Sequence, residues 1–135
     1  MQVAWPNDND ALFDDDDDLP TITSIRMYEG RVSDEAMARL EPVESIATSP
    51  LGGVELTIVL EWTGGHGRHR LEFQVGLDNR HGGEVNTDTT HTAVFRISSQ
   101  QASAVTVDNP RTYPIYFWWD GVPAGQRYLT VFRRR

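Results

Sequence analysis

The feature that most constrains the fold is a strict alternation of apolar and mostly polar residues from Val54 to Trp62. Residues two apart share one face of a β-strand, so this period predicts a strand with one buried face and one mostly wet face. A glycine-rich segment, 63–68, follows, and a second alternation runs from Leu71 to Leu77. We expect the two strands to form a hairpin, with ion pairs between the glutamates of the first strand and Arg70 of the second.

Further segments carry strand signals, and turn residues separate them. They are Thr21–Tyr28, His91–Ser98, Tyr113–Trp119 and Gln126–Phe132, with a weaker candidate at Ser103–Val107. Ser33 is expected to cap one short helix, because Asp34 and Glu35 then meet the positive helix end. The segments 78–83 and 120–125 read as connecting turns. About seven strands predict an all-β fold, an immunoglobulin-like antiparallel β-sandwich with one short helix.

The 135 residues fit one compact domain, and their charge is concentrated at the N-terminus. Seven of the 20 acidic residues lie in residues 1–20, which contain no base, whereas the other 115 residues hold 13 acids and 12 arginines. We therefore expect an acidic N-terminal arm, residues 1–20, and a single sandwich domain, residues 21–135. A nearly neutral domain disfavours nucleic acid as a partner, since phosphate binding needs clustered positive charge.

Three absences narrow the function classes further. No apolar run approaches the roughly 18 residues that a membrane helix needs, so no membrane partner is expected. The N-terminal residues lack the basic region and apolar core of a signal peptide, so we expect a soluble, cytoplasmic protein. The sequence has no cysteine, which excludes disulfides, thiolate catalysis and thiolate metal sites.

The acidic arm also contains apolar side chains. Apolar anchors among acids are typical of a segment that docks onto a partner. The predicted contact residues of the arm are Trp5, Leu12, Phe13, Asp14, Asp15 and Asp16. The alternative is a solvated acidic tail, in which the repulsion between five consecutive aspartates prevents packing.

The segment 113–119 is strongly aromatic, and a strand presents its side chains on two faces. One face carries Tyr113, Ile115, Phe117 and Trp119, and the other carries Tyr116 and Trp118. A sandwich strand buries only one face, so we predict that Tyr116 and Trp118 form an outward platform for a protein partner. The alternative is that both faces are core, because another segment covers the outer one.

Histidines and aspartates near the middle of the chain are candidates for a metal site, since zinc accepts imidazole and carboxylate ligands. The predicted ligands are Asp78, His81, Asp88 and His91. They give the alternative function, a metal-dependent hydrolase or metal-binding protein. His66 and His69 are left out of this site, since a strand from His69 to Leu77 spans about 27 Å at ~3.3 Å per residue. The competing interpretation is that these are polar loop residues without a ligand.

No catalytic motif accompanies the strands. No serine stands in a nucleophile-elbow sequence, and the glycine-rich segment 63–68 lacks the lysine and the following helix of a phosphate-binding loop. Glutamates alternating on a wet strand face are ordinary solubility residues. We therefore expect no cofactor and favour a protein without enzymatic activity, and the sequence leaves a small-molecule ligand open.

Part of the chain resembles a known family. The residues concerned are Leu60–Trp62, a glycine-rich turn, Arg68–Phe73, a strand ending at Leu77–Asp78, and the C-terminal run Pro123–Val131. Over about residues 54–132 this pattern resembles a family of small bacterial β-sandwich proteins of uncharacterised function. The resemblance implies a β-sandwich, and it implies no activity because the family has none assigned.

Together these observations predict a non-enzymatic protein-binding or assembly module. It is expected to dock through the acidic arm with its aromatic residues, or through the outward face of the aromatic strand. Because such arms lace neighbouring subunits together, we expect a structural component of a larger particle, bound to a protein partner or to further copies of itself.

Overall fold

The computed structural model describes residues 19–48, 53–76, 78–99 and 105–134. In chain order the elements are β1 (Thr21–Glu29), α1 (Asp34–Met37), β2 (Ser45–Ala47), β3 (Val54–Thr63), β4 (Arg68–Val75), β5 (His81–Asn86), β6 (Thr92–Ser99), β7 (Arg111–Trp119) and β8 (Val122–Phe132). The arm residues predicted to bind a partner lie outside the described ranges; they are Trp5, Leu12, Phe13, Asp14, Asp15 and Asp16. The weak strand candidate at 103–107 lies partly outside them, and its described end forms only an isolated bridge between Thr106 and Asn109.

The described strands form two sheets, which confirms the all-β prediction. The smaller sheet has the strand order β1-β3-β6, and the larger sheet has the order β2-β8-β7-β4-β5. The described residues contain eight strands rather than about seven, since β2 and β5 add to those expected and 103–107 contributes none. Strands β2 and β8 run parallel, so the larger sheet is mixed rather than antiparallel throughout.

The predicted hairpin between the two alternating strands is wrong, because β3 and β4 belong to different sheets. The connection between them contains Gly64, Gly65 and Gly67, with φ of 75°, 83° and 78°. Glycine adopts this left-handed region without steric penalty, which permits the crossover of the chain to the other sheet without by itself selecting it. The ion pairs change accordingly: Glu61 of β3 pairs with Arg26 of β1 at 3.6 Å rather than with β4.

Strand β5 begins within the segment 78–83, which its glycines predict to be a turn. Gly82 and Gly83 pair with Glu72 and Leu71 of β4. A Cβ atom on Gly82 would collide with the carbonyl oxygen of Leu71, so only glycine fits this close approach of two backbones. The neighbouring strand therefore decides the conformation here, against the weak strand preference of two consecutive glycines.

Strands β7 and β8 form a hairpin whose connection is much shorter than the predicted turn 120–125. Asp120 and Gly121 alone join the strands, with φ of 50° and 82°. Positive φ at both central residues defines a type I′ turn, which matches the twist of the flanking strands and favours Asp-Gly. Strand β8 therefore begins at Val122. The pairing register of β7 with β8 shifts between Phe117 and Trp118.

The core lies between the two sheets. Trp62 of β3 meets Trp119 of β7 edge to face, with ring centroids 5.1 Å apart. Phe95 of β6 packs on Phe73 of β4 with a centroid distance of 4.5 Å. Fully burying one large apolar side chain contributes about 1.5–3 kcal/mol, so these contacts hold the sheets together.

The segment after β1 covers the outer face of the smaller sheet. The hydroxyl of Thr57, in β3, donates to the carbonyl oxygen of Gly30 at 2.8 Å and accepts from the Val32 N–H at 3.0 Å. The guanidinium of Arg96, in β6, donates to the Val32 carbonyl oxygen at 2.6 Å and to Asp34 at 2.8 Å. Thr57 is fully buried as a result, although it stands on the outward side of its strand.

The helix α1 begins where the sequence predicts. The Ser33 hydroxyl oxygen accepts a hydrogen bond from the Ala36 N–H at 3.2 Å, and Asp34 and Glu35 stand in the first turn. The helix has only four residues. No helix in the described part of the chain is long and apolar enough to cross a membrane.

Candidate functional site

Strand β7 sends its side chains alternately into the core and outward, in agreement with its sequence pattern. Ile115, Phe117 and Trp119 are at most 1% exposed and belong to the core cluster. Tyr116 and Trp118 therefore stand on the outward side of the larger sheet. Their ring centroids are 5.9 Å apart, within the range of an attractive aromatic pair.

The pairing register shows which side chains surround this pair. Tyr116 lies opposite Gln126 of β8 and Gln74 of β4, and Pro114 lies opposite Tyr128 of β8. Because residues directly opposite one another share a face of the sheet, these side chains form one surface. We call it the aromatic face, and it consists of Gln74, Pro114, Tyr116, Trp118, Gln126 and Tyr128.

Tyr128 is the most exposed large hydrophobic side chain of the described residues, at 57% exposure. The side-chain amide of Gln126 donates a hydrogen bond to the hydroxyl oxygen of Tyr128 at 2.5 Å. This bond orients the ring without covering it. Tyr128 is not among the contact residues predicted from the sequence, although its alternation with Leu129 and Val131 already indicates that it points away from the core.

Arg80 covers Trp118, a second aromatic side chain of this face. Its guanidinium carbon lies 3.7 Å from the centroid of the Trp118 ring, and Glu72 holds the guanidinium at 4.0 Å. A cation above a tryptophan face is attracted by the ring quadrupole. Trp118 is therefore only 9% exposed, and its contact with a partner requires Arg80 to move or to take part.

A histidine–aspartate pair lies at the end of the larger sheet, beside the turn between β7 and β8. Nδ1 of His69 lies 2.6 Å from Oδ2 of Asp120, and Nε2 lies 2.8 Å from the carbonyl oxygen of His66. The side chain of His69 is 10% exposed. Both ring nitrogens are therefore occupied by protein acceptors, and the pair fastens β4 to the two adjoining turns.

The charge of Asp120 is stabilised in this setting. Burial raises the pKa of its carboxyl group. The hydrogen bond from the Arg70 N–H and the hydrogen bond and charge of His69 together outweigh burial and lower the pKa below the ordinary value of 3.8. The Arg70 N–H donates to Oδ1 at 2.7 Å, so both carboxylate oxygens are used in holding the turn.

The four predicted metal ligands are distributed over both ends of β5. His81 begins β5 and packs its ring 5.6 Å from that of Phe73, and Asp78 precedes it. Asp88 follows the other end of β5 and pairs with His66 at 3.1 Å, before His91 leads into β6.

The length of β5 keeps these residues apart. Six strand residues span about 17 Å between their ends at ~3.3 Å per residue, too far for ligands of one ion. The prediction that residues 78–91 form one loop is incorrect, because β4 pairs with residues 81–86 and extends them. Within residues 19–48, 53–76, 78–99 and 105–134 no group of three or more histidine, aspartate or glutamate side chains is arranged to hold a metal ion.

Comparison with known proteins assigns no family to the chain. A scan against protein-family models matched none of them, and a search of curated proteins gave no match. The resemblance to small bacterial β-sandwich proteins therefore stays a prediction, and the function must be argued from the surfaces of the fold itself.

Proposed function

We propose that this chain is a non-enzymatic protein-binding and assembly module, a structural component of a larger particle that associates with further copies of itself. The immunoglobulin-like sandwich expected from the sequence is part of the same proposal, because such a scaffold presents a rigid sheet face to a neighbour. The observation that carries it is the aromatic face of the larger sheet.

The chemistry of the aromatic face suits contact with another protein. Tyr116 and Tyr128 offer large apolar rings that lose little conformational freedom on binding, since each has only two side-chain torsions. Gln74 and Gln126 stand between the rings and can donate and accept hydrogen bonds. Aromatic residues surrounded by polar groups are characteristic of the centre of protein interfaces.

The exposed Tyr128 gives the most direct test. We expect Tyr128→Ala to weaken self-association of the full chain by about tenfold or more, as a central aromatic contact does in other interfaces. Sedimentation velocity over a range of protein concentrations measures this change. Leu40→Ala is the matched control, because Leu40 is also a large exposed apolar side chain, at 47% exposure, but belongs to the segment after α1.

Two results would contradict the proposal. One is a full chain that stays monomeric at every concentration, and the other is an equal effect of Tyr128→Ala and Leu40→Ala. Circular dichroism of both variants serves as the folding control, since an exposed substitution should leave the β-sheet signal unchanged.

A further inference from the structure

A groove of about 350 Å³ runs along the edge of β1 that faces away from β3. Its walls are Ser24–Met27 of β1 and Pro42–Glu44, with Arg127 of β8 between them. The N–H of Val43 donates to the Met27 carbonyl oxygen at 2.8 Å and joins the two walls. The groove thus lies between the two sheets on the side of the fold where β1 approaches β8.

Two arginines line this groove, and the charge of one of them, Arg127, is unpaired. Arg26 is already engaged, since its Nη2 contacts Glu61 at 3.6 Å, its Nη1 contacts the Tyr28 hydroxyl at 3.4 Å and its Nε is buried. Arg127 is exposed, and its side chain forms no hydrogen bond or ion pair with any described residue. Glu44 is the single carboxylate among the lining residues. Guanidinium groups with unused donors bind carboxylates well, because their planar fork matches the two carboxylate oxygens.

The chain itself contains a segment with the complementary chemistry, residues 12–18. Leu12 and Phe13 are followed directly by the five aspartates Asp14–Asp18, and no base stands in the first 20 residues. The groove offers an apolar wall from Ile25 and Val43 beside Arg127. An apolar anchor followed by a run of carboxylates therefore matches a groove whose free donors belong to the Arg127 guanidinium.

The path of the chain into β1 indicates which copy supplies this segment. Pro20 is buried against Gly65: a Cβ atom on Gly65 would lie 2.8 Å from Pro20 Cγ and 3.0 Å from Thr87 Oγ1. Gly65 joins β3 to β4 and Thr87 follows β5, so both lie on the β3 side of β1, opposite the groove. Pro20, the described residue beside the acidic run, is thus held on the side of β1 opposite the groove of its own copy.

We propose that the groove formed by Ser24–Met27, Pro42–Glu44 and Arg127 binds the acidic segment 12–18 of a second copy of this chain. This inference rests on the proposed assembly function and names the contact that holds the copies together. Each copy donates one arm and offers one groove, so the same contact repeated closes a ring or extends a chain of subunits.

A charge reversal in the groove tests the contact. We expect Arg127→Glu to weaken self-association of the full chain at least about tenfold, and to reduce the salt dependence of association. Arg111→Glu is the matched control, because Arg111 is an exposed strand arginine of the same sheet without an ion pair to a described residue. It makes the same change in net charge and should leave association within about twofold.

A mixing experiment shows whether the arm acts between copies. One variant carries Asn in place of Asp14–Asp18 and keeps its groove, and the other carries Arg127→Glu and keeps its arm. We expect each variant alone to associate weakly, and the mixture to form heterodimers, since one intact arm then meets one intact groove. Native mass spectrometry resolves the heterodimer by its mass.

The possible results separate this inference from the function on which it rests. A wild-type chain that stays monomeric at every concentration overturns both. A wild-type assembly that Arg127→Glu and Arg111→Glu weaken equally overturns the groove contact and leaves assembly through the aromatic face standing. A mixture no more associated than its separate components overturns the exchange between copies.

Discussion

The outward faces of the two sheets differ in how far other parts of the chain cover them. On the smaller sheet the outward residues Thr57 and Val59 are at most 5% exposed, and the segment that contains Gly30 and Val32 lies over Thr57. On the larger sheet Tyr128 is 57% exposed, whereas Trp118 is 9% exposed beneath the guanidinium of Arg80. The same alternation of side chains thus gives one face covered by the chain and one face open to a partner. The covered face contributes stability, whereas the open face is available for binding.

The largest expected effect is on the free energy of unfolding, and it distinguishes the core-facing side of β7 from its outward side. Trp119→Ala should destabilise the fold by about 3–5 kcal/mol, because it leaves a cavity against Trp62 in the core. Tyr116→Ala, three residues earlier on the open side, should cost less than about 1 kcal/mol. Urea unfolding followed by circular dichroism measures both. Equal costs would show that the aromatic face is packed rather than open.

The covered face has its own test at Thr57. Thr57→Val removes the hydroxyl that pairs with the Gly30 carbonyl oxygen and the Val32 N–H, and should destabilise the protein by about 1–3 kcal/mol. Thr112→Val is the control on the larger sheet, where the hydroxyl is exposed and meets only Thr130 at 3.0 Å. Its effect should stay within about 0.5 kcal/mol. A Thr57→Val protein as stable as the wild type would mean that the covering segment does not depend on this bond.

The guanidinium of Arg80 lies over the Trp118 ring on the open face. Arg80→Ala should cost about 0.5–1 kcal/mol through loss of the cation–π contact. It should also raise the fraction of tryptophan fluorescence that iodide quenches, because Trp118 becomes accessible. Arg111→Ala is the control, because it also removes one positive charge. Unchanged quenching in Arg80→Ala would show that something other than Arg80 shields the ring.

The smallest effect concerns the pH dependence of the turn that joins β7 and β8. The pKa of Asp120 is lowered in the folded state, so its ionised form stabilises the fold above the ordinary value of 3.8. This contribution is lost as the pH falls through the lowered folded-state pKa. Wild type should therefore lose stability relative to Asp120→Asn on acidification below about pH 4 in urea titrations. A constant difference between the two proteins over that range would contradict this assignment.

Local sequence predicted the elements whose pattern is local. The alternation of Val54–Trp62 identified β3, the Ser33 cap located α1, and the alternating aromatic residues of 113–119 gave the inward and outward sides of β7. Each signal depends on neighbours in the chain alone, through side-chain period or a hydrogen bond within one turn.

The predictions that were wrong or incomplete depended on contacts between segments that are distant in the sequence. The glycines after β3 fit a hairpin turn and a crossover between sheets equally well, because they permit positive φ without fixing a direction. Gly82 and Gly83 belong to a strand only because β4 is there to pair with them. The metal prediction was made for a loop that this pairing converts into β5, and Tyr128 was overlooked because its exposure depends on what lies over β8.

The sequence by itself determined that the chain is built from β-strands, which side of most strands is apolar, and that nearly all of its net negative charge lies in the first 20 residues. Periodicity and charge are properties of the chain before it folds, so they can be read directly. Only the tertiary structure decided that β3 and β4 belong to different sheets, that Thr57 is covered while Tyr128 is exposed, and that Arg26 and Arg127 line one groove. These properties arise from contacts between segments distant in sequence, and such contacts exist only once the sheets have packed.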